Sequence, residues 1–231
     1  MTPSGGSKRS YHHGDLRNAL VDAAAQLAEE GGPAAITVRA AARIAGVTPT
    51  AAYRHFEGHE QLLDAAKERA MERMGAAMQV YVRALPETDD PVQRSLSTLA
   101  AIARGYIQFA RSEPGLFRTA FQQGGSILDG ETIVKSDIPF VLLAQALDDL
   151  VATGMLTREY RPMAEITAWS AVHGFSNLSI DGPLRDWPEH MLEQALARML
   201  DILGRGFVGD ALAHYDFVTP AIPSSGSSTT A

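Results

Sequence analysis

The sequence predicts an all-α protein, with a small N-terminal group of three helices followed by a larger C-terminal helical bundle. Three observations predict it. Apolar residues recur every three to four positions along nearly the whole chain of 231 residues, the period of a helix with one buried face. Gly, Pro, Thr and Asp stand where those periodic runs begin and end, the positions at which helices are capped or broken. No run alternates at the period of a strand, and no internal repeat is present.

Taken in order, Asp15 is placed to cap a first helix whose apolar stripe runs Leu16, Leu20, Ala23 and Leu27, and Gly31-Gly32 stops it. Thr37 caps a short second helix with Val38, Ala41, Ala42 and Ala45 on its inner face. Arg39 and Arg43 lie one turn apart outside, and Gly46 breaks the helix. Thr48 caps a third helix over 49–56, with Pro49 at its first position, where a missing N–H costs nothing. A longer helix covers about 60–84, with Leu63, Ala66, Ala70, Met74 and Met78 in register. PETDDP (86–91) reads as a linker.

In the second section, Val92, Leu96, Leu99, Ala103, Tyr106 and Ala110 mark one stripe, and GLFRTAF (115–121) is a short apolar helix. GGSILDGET (124–132) reads as a loop, and helices follow over 137–153, 162–178 and 188–207. Asp186 and Glu189 have the spacing of a capping box. The expected domains are a flexible arm (1–14), the three-helix unit (15–63), a C-terminal helical domain (64–215) and a Ser/Thr/Pro-rich disordered tail (216–231).

Composition narrows the function. The chain has no Cys, so disulfides and thiolate metal sites are excluded. The opening MTPSGGSKRSYHHGD lacks the apolar core of a secretory signal, and no run approaches the roughly 20 apolar residues of a membrane span. A cytoplasmic protein is the expectation. The net charge of −7 argues against a nucleic-acid partner, but its distribution does not. In residues 1–60, Lys8, Arg9, Arg17, Arg39, Arg43 and Arg54 balance Asp15, Asp22, Glu29, Glu30, Glu57 and Glu60. All of the net negative charge therefore lies in residues 61–231.

The stretch 49–56 is polar, aromatic and weakly anchored for a helix. At about 100° per residue, Ala52 and Phe56 face inward. Thr50, Ala51 and Arg54 occupy the opposite arc, with Tyr53 and His55 on its flanks. The outer arc offers a hydroxyl, a methyl and a guanidinium to base edges, and the flanks offer two hydrogen-bonding rings to phosphates. Two short helices joined by a tight Gly turn, the second presented outward, form a helix-turn-helix.

Residues from about 15 to 63 resemble the DNA-binding domain of the TetR/AcrR transcriptional regulators. The resemblance rests on ITVRAAARIAGV (36–47), YRHF (53–56) and EQLL (60–63). YHHGDLRNALVDAA (11–24) and WSAVHG (169–174) resemble elements of one subgroup, the latter a Trp-x-x-x-His-Gly motif of its C-terminal domain. The resemblance implies that Thr37 and Thr48 set hydroxyls and helix N-termini against phosphates. It implies phosphate contacts for Tyr53 and His55, and base contacts for Pro49, Thr50, Ala51 and Arg54. Three positions depart from the family pattern. His59 stands where a phosphate-gripping Lys is common, Thr50 where Gly is common, and Ala52 where Leu is common. A neutral His59 weakens the phosphate grip, and Lys8 and Arg9 are placed to compensate through the minor groove.

Other classes fare less well. No Gly-rich phosphate loop, nucleophile elbow or HExxH is present, so an enzyme is not expected. His12, His13 and Asp15 do not make a metal site, because adjacent histidines point apart. No cofactor is expected. In the C-terminal section, Tyr106, Phe109, Phe117, Phe121, Met155, Trp169 and His173 are the candidates to line a small-molecule pocket. For any single one of them, plain core packing is the stronger reading. The last helix is apolar on more than one face, as expected of a helix buried on two sides. With the helix at 162–178 it would form a four-helix homodimer interface, as the resemblance also implies. The expected function is a dimeric, ligand-responsive repressor that binds a palindromic operator. The alternative is a dimeric small-molecule binding or interaction protein without sequence-specific DNA binding, motivated by His59 and the acidic total charge.

Overall fold

The computed structural model describes residues 13–122 and 138–208. Its described residues form nine α-helices and one 3-10 turn, with no strand among them. We number them α1 (His13–Gly31), α2 (Val38–Ile44), α3 (Pro49–Ala52), α4 (His59–Arg83), α5 (Pro91–Ser112), α6 (Pro114–Ala120), α7 (Ile138–Ala152), α8 (Ala164–Ile180) and α9 (Glu189–Val208); the 3-10 turn is Pro33–Ala35. The expected loop at 124–132, the N-terminal arm with Lys8, Arg9 and His12, and the tail at 216–231 lie outside the described residues.

Small side chains let the first three helices approach closely. Ile36, Val38, Ala41 and Ala42 close over Leu20, Ala24 and Ala28 of α1, and Ala52 and Phe56 seal the other side. Thr37 caps α2 by accepting from the Ala40 amide at 3.1 Å. Gly32 and Gly46, with φ of 67° and 70°, supply the two left-handed corners that only glycine adopts without strain.

Helix α4 runs through both sections of the chain. Its 25 residues span about 37 Å at 1.5 Å per residue. Leu62, Leu63 and Ala66 belong to the core shared with α1, while Met74 and Met78 face α5. Two glycines make the crossings close. A Cβ at Gly105 of α5 would stand 2.5 Å from Met78 Cα, and one at Gly75 of α4 would stand 2.5 Å from Ile138 Cγ2. A third, Gly115 of α6, lies against the Ala28 carbonyl at the end of α1. Helix α9 is latched to α5 by two ion pairs: Arg104 Nη1 donates to Glu193 Oε2 at 2.6 Å and Arg111 Nη1 to Glu189 Oε1 at 2.8 Å.

Five local expectations are corrected. Helix α1 begins at His13, so Asp15 lies in its first turn instead of at the N-cap. Regular α3 is one turn long, Pro49–Ala52, and residues 53–56 continue as tighter turns closed by bonds such as His55 N to Ala52 O at 2.9 Å. The linker expected over 86–91 ends one residue earlier, since Pro91 opens α5 and Asp90 caps it, accepting from Val92 N at 2.9 Å, and α5 packs along α4. Helix α8 starts at Ala164, after Met163 in a left-handed conformation, instead of at Pro162. The Glu189 carboxylate is held by Arg111, so the expected capping box with Asp186 gives way to an ion pair.

The Gly105 contact yields a prediction. Gly105→Ala gains helix propensity but drives a methyl group into the α4 backbone, which cannot yield as a side chain would. Overpacking of this kind costs about 1–3 kcal/mol. Urea denaturation of the two proteins should show that loss; equal midpoints would mean the α4–α5 crossing is looser than described.

Candidate nucleic-acid interface and internal cavity

The helix-turn-helix is built from two threonine caps and one glycine. Val47 N donates to Ala42 O at 2.9 Å across the Gly46 turn. Thr48 then caps α3, its Oγ1 accepting from Ala51 N at 3.2 Å. Each threonine oxygen is occupied as an acceptor, which leaves its hydroxyl proton free to donate to an anion. Ala52 and Phe56 are fully buried, and Thr50, Tyr53 and Arg54 are exposed, Tyr53 to 45%. Pro49 is also exposed, and Ala51 and His55 are half-buried at the edge of the same face. His59 is exposed at the first position of α4, next to the Gly58 N-cap. Thr37 and Thr48 are likewise exposed.

Arg17, Arg39, Arg43 and Arg54 make no ion pair among the described residues. Outside the three-helix unit Arg83, Arg94, Arg158 and Arg185 also make none, whereas Arg69, Arg73, Arg104, Arg111, Arg118 and Arg161 do. Arg17 lies over the Phe56 ring, 5.1 Å from its centroid. Two acids of α1 are taken by α4: Asp22 pairs with Arg69, and Glu29 with Arg73, which also reaches Glu113 at 2.7 Å. Among the described residues the three-helix unit therefore has four guanidinium groups without an ion pair, while two of its carboxylates are paired from outside. Arg17, Arg39 and Arg43 were not among the expected interface residues; the signal for Arg39 and Arg43 was their outward spacing on α2.

A cavity of about 180 Å³ lies between α4, α5, α6, α7, α8 and α9. Of the seven expected residues, Tyr106, Phe121 and Trp169 line it. Phe117 and His173 stand just behind them in one aromatic cluster, with His173 4.6 Å from Phe121 and Phe117 5.1 Å from Phe121, centroid to centroid. Phe109 is buried elsewhere along α5, and Met155 sits half-buried in the turn after α7, so neither belongs to the wall. Sequence reasoning missed the walls given by α4 (Met71, Met74, Met78), α7 (Phe140, Leu143) and α9 (Leu200, Leu203). Met74 and Met78 were legible as an inward stripe, but a stripe does not say whether it meets another helix or a void.

The polar tips of the cluster bond to one another. Trp169 Nε1 can only donate, and it donates to Tyr106 Oη at 3.1 Å. Tyr106 Oη also lies 2.8 Å from His173 Nδ1, a hydrogen bond whose donor is set by the His tautomer. Burial lowers the His173 pKa, which favours the neutral ring, and it pushes the Tyr106 hydroxyl far up.

Residues 20–66 match the family model for bacterial regulatory proteins of the tetR family. Residues 99–203 match the model for the tetracyclin repressor-like C-terminal domain. The chain carries both domains of a TetR-family regulator. It is a DNA-binding transcription regulator of this family, with the helix-turn-helix just described as its DNA-binding element. No curated protein sequence matches the chain. Among solved structures, a Rhodococcus sp. RHA1 protein of unknown function is 24% identical, with a TM-score of 0.68 over 87% of this chain and 100% of its own. A TetR family transcription regulator from Marinobacter aquaeolei VT8 is 19% identical, with a TM-score of 0.58 over 80% and 94% of the two chains. FadR from Bacillus subtilis, solved in complex with stearoyl-CoA, is 16% identical, with a TM-score of 0.60 over 82% and 98%. At these identities the likeness is one of fold.

The lowered His173 pKa gives this TetR-family chain a signed pH dependence. Between the lowered folded value and the ordinary imidazole value of 6.5, the unfolded chain binds more protons at this site than the folded one. Stability from this residue is therefore fully present above pH 6.5 and declines as pH falls toward the folded value. His173→Gln, which keeps an acceptor for Tyr106, should lose less stability than the wild type on acidification. Thermal melts from about pH 7.5 to 5 measure the gap; a constant gap would show that His173 titrates alike in both states.

Proposed function

We propose that the protein is a homodimeric repressor that binds a near-palindromic operator and releases it when a small molecule enters the cavity. The observation that carries this reading is the exposed face of α3, in a unit whose arginines make no ion pair among the described residues, just before a helix whose far half walls a cavity. Thr37, Thr48, Tyr53, His55 and His59 hold phosphates; Pro49, Thr50, Ala51 and Arg54 meet base edges; Lys8 and Arg9 add the N-terminal arm. Tyr106, Phe121 and Trp169 contact the ligand, with Phe117 and His173 fixing their orientation. The Trp-x-x-x-His-Gly subgroup is supported by Trp169 and His173 meeting in one hydrogen-bonded cluster. The DNA-binding unit ends near residue 63 and the ligand-binding and dimerisation domain begins there, inside α4. A regulator of this kind works in the cytoplasm, and among the described residues no helix is long and apolar enough to cross a membrane.

The dimer rests on α8 and α9. Ile166 and Leu178 of α8 and Met191 and Ile202 of α9 are exposed, Ile202 to 62%. Gly174 and Gly206 face open space where a partner's helices could approach closely. A twofold dimer sets its recognition helices about 34–36 Å apart, one helical turn of DNA. A ligand held against Met71, Met74 and Met78 favours a different placement of α4, and it shifts the population as far as its affinity for the two states differs. The repressing sign of regulation is part of this proposal.

The test is a titration against DNA from upstream of its own gene and a scrambled duplex, at two salt concentrations. Selective binding that weakens steeply with salt is expected, since phosphate contacts release counterions. Arg54→Ala should cost about 1–3 kcal/mol and relax specificity, while Tyr53→Ala should weaken binding to all sequences alike. If neither substitution changes binding, α3 is not the reading element.

A further inference from the structure

We infer that the cavity binds a compact, uncharged molecule, mostly hydrocarbon and the size of one ring with a short side chain, and that it rejects acids and acyl thioesters. This rests on the cavity being the effector site. Size is the first argument. An engineered apolar cavity of about 150 Å³ takes up benzene, and this one holds about 180 Å³. A ring with two or three further carbons fills it; a long acyl chain has several times that volume.

Charge is the second argument. Among the described residues the wall carries no Asp, Glu, Lys or Arg. Arg104 follows Ala103 of the wall, yet its side chain is buried on another face and its guanidinium is committed to Glu193. A carboxylate or phosphate entering the cavity would leave water and find no cation, a penalty that an apolar guest avoids.

Hydrogen bonding is the third. Among the described residues the only polar side-chain N and O atoms in the wall are Tyr106 Oη and Trp169 Nε1. The indole proton is used on Tyr106, and the phenol is hydrogen-bonded to His173. Both polar atoms are thus already engaged within the protein, which suits a hydrocarbon or a molecule with one hydroxyl. A carboxylate or a phosphate-bearing thioester would find at most one further hydrogen bond there and no cation. Met71, Met74 and Met78 add three polarizable thioethers along one wall, which pack well against an aromatic ring.

The chain has two tryptophans, and the other, Trp187, is exposed. Trp187→Phe leaves Trp169 as the sole emitter, so its fluorescence reports occupancy of this wall. The full-length protein would be titrated with n-propylbenzene, 4-propylphenol, 4-propylbenzoate and stearoyl-CoA, with calorimetry on the wild type in parallel in case the variant misfolds. We expect saturable binding of the two neutral probes, at least tenfold tighter than the benzoate, and no response to stearoyl-CoA. Equal or tighter binding of the benzoate or the thioester overturns the inference, as does silence of both neutral probes up to their solubility. Release of bound DNA is read separately. A neutral probe that binds at Trp169 without releasing DNA upholds the ligand chemistry and sinks the effector reading; DNA release by the thioester alone sinks the ligand chemistry and upholds the effector reading.

Discussion

The architecture depends on one helix being buried at both ends in different company. The first turns of α4 complete the core of the three-helix unit through Leu62, Leu63 and Ala66. Its later turns, through Met74 and Met78, complete the core of the larger bundle. A three-helix unit with helices of seven and four residues cannot bury enough apolar surface to stand securely alone, because short helices draw their stability from tertiary packing. Borrowing α4 solves that problem, and it joins the three-helix unit and the larger bundle through one continuous helix. Structural economy and the proposed route of signal transmission use the same contacts.

Much of this was legible in the sequence, and the reasons differ by region. Thr37, Gly46, Thr48 and Pro49 each have local physics strong enough to act without help from the fold: two caps, one left-handed corner and one helix-compatible φ. They placed the helix-turn-helix correctly. The inward pair Ala52 and Phe56 followed from helical spacing alone. The extent of regular α3 did not follow, because the point at which four turning residues tighten is decided by how Phe56 seats against α1 and under Arg17.

The cavity was only half legible. Tyr106, Phe121 and Trp169 stood out as bulky residues on inner stripes, but so did Phe109, which proves to be ordinary core. Period and bulk identify the buried face of a helix; whether that face meets another side chain or an empty space depends on how helices from distant parts of the chain are spaced. The same holds for the acids at Asp22 and Glu29. Their partners Arg69 and Arg73 lie more than forty residues away, and no local pattern could pair them.

Those two pairs alter how the charge of the chain is understood. The three-helix unit is electrically balanced on paper, yet what it presents is set by α4, which covers two of its negative groups and leaves its guanidinium groups uncovered. Its attraction for a polyanion is therefore conditional on the position of α4. A movement of α4 that parts Arg69 from Asp22 and Arg73 from Glu29 would hand two negative charges back to the unit at the moment its geometry ceases to match the groove. Shape and field would then fail together, so a modest displacement could produce a sharper loss of binding than misfit alone.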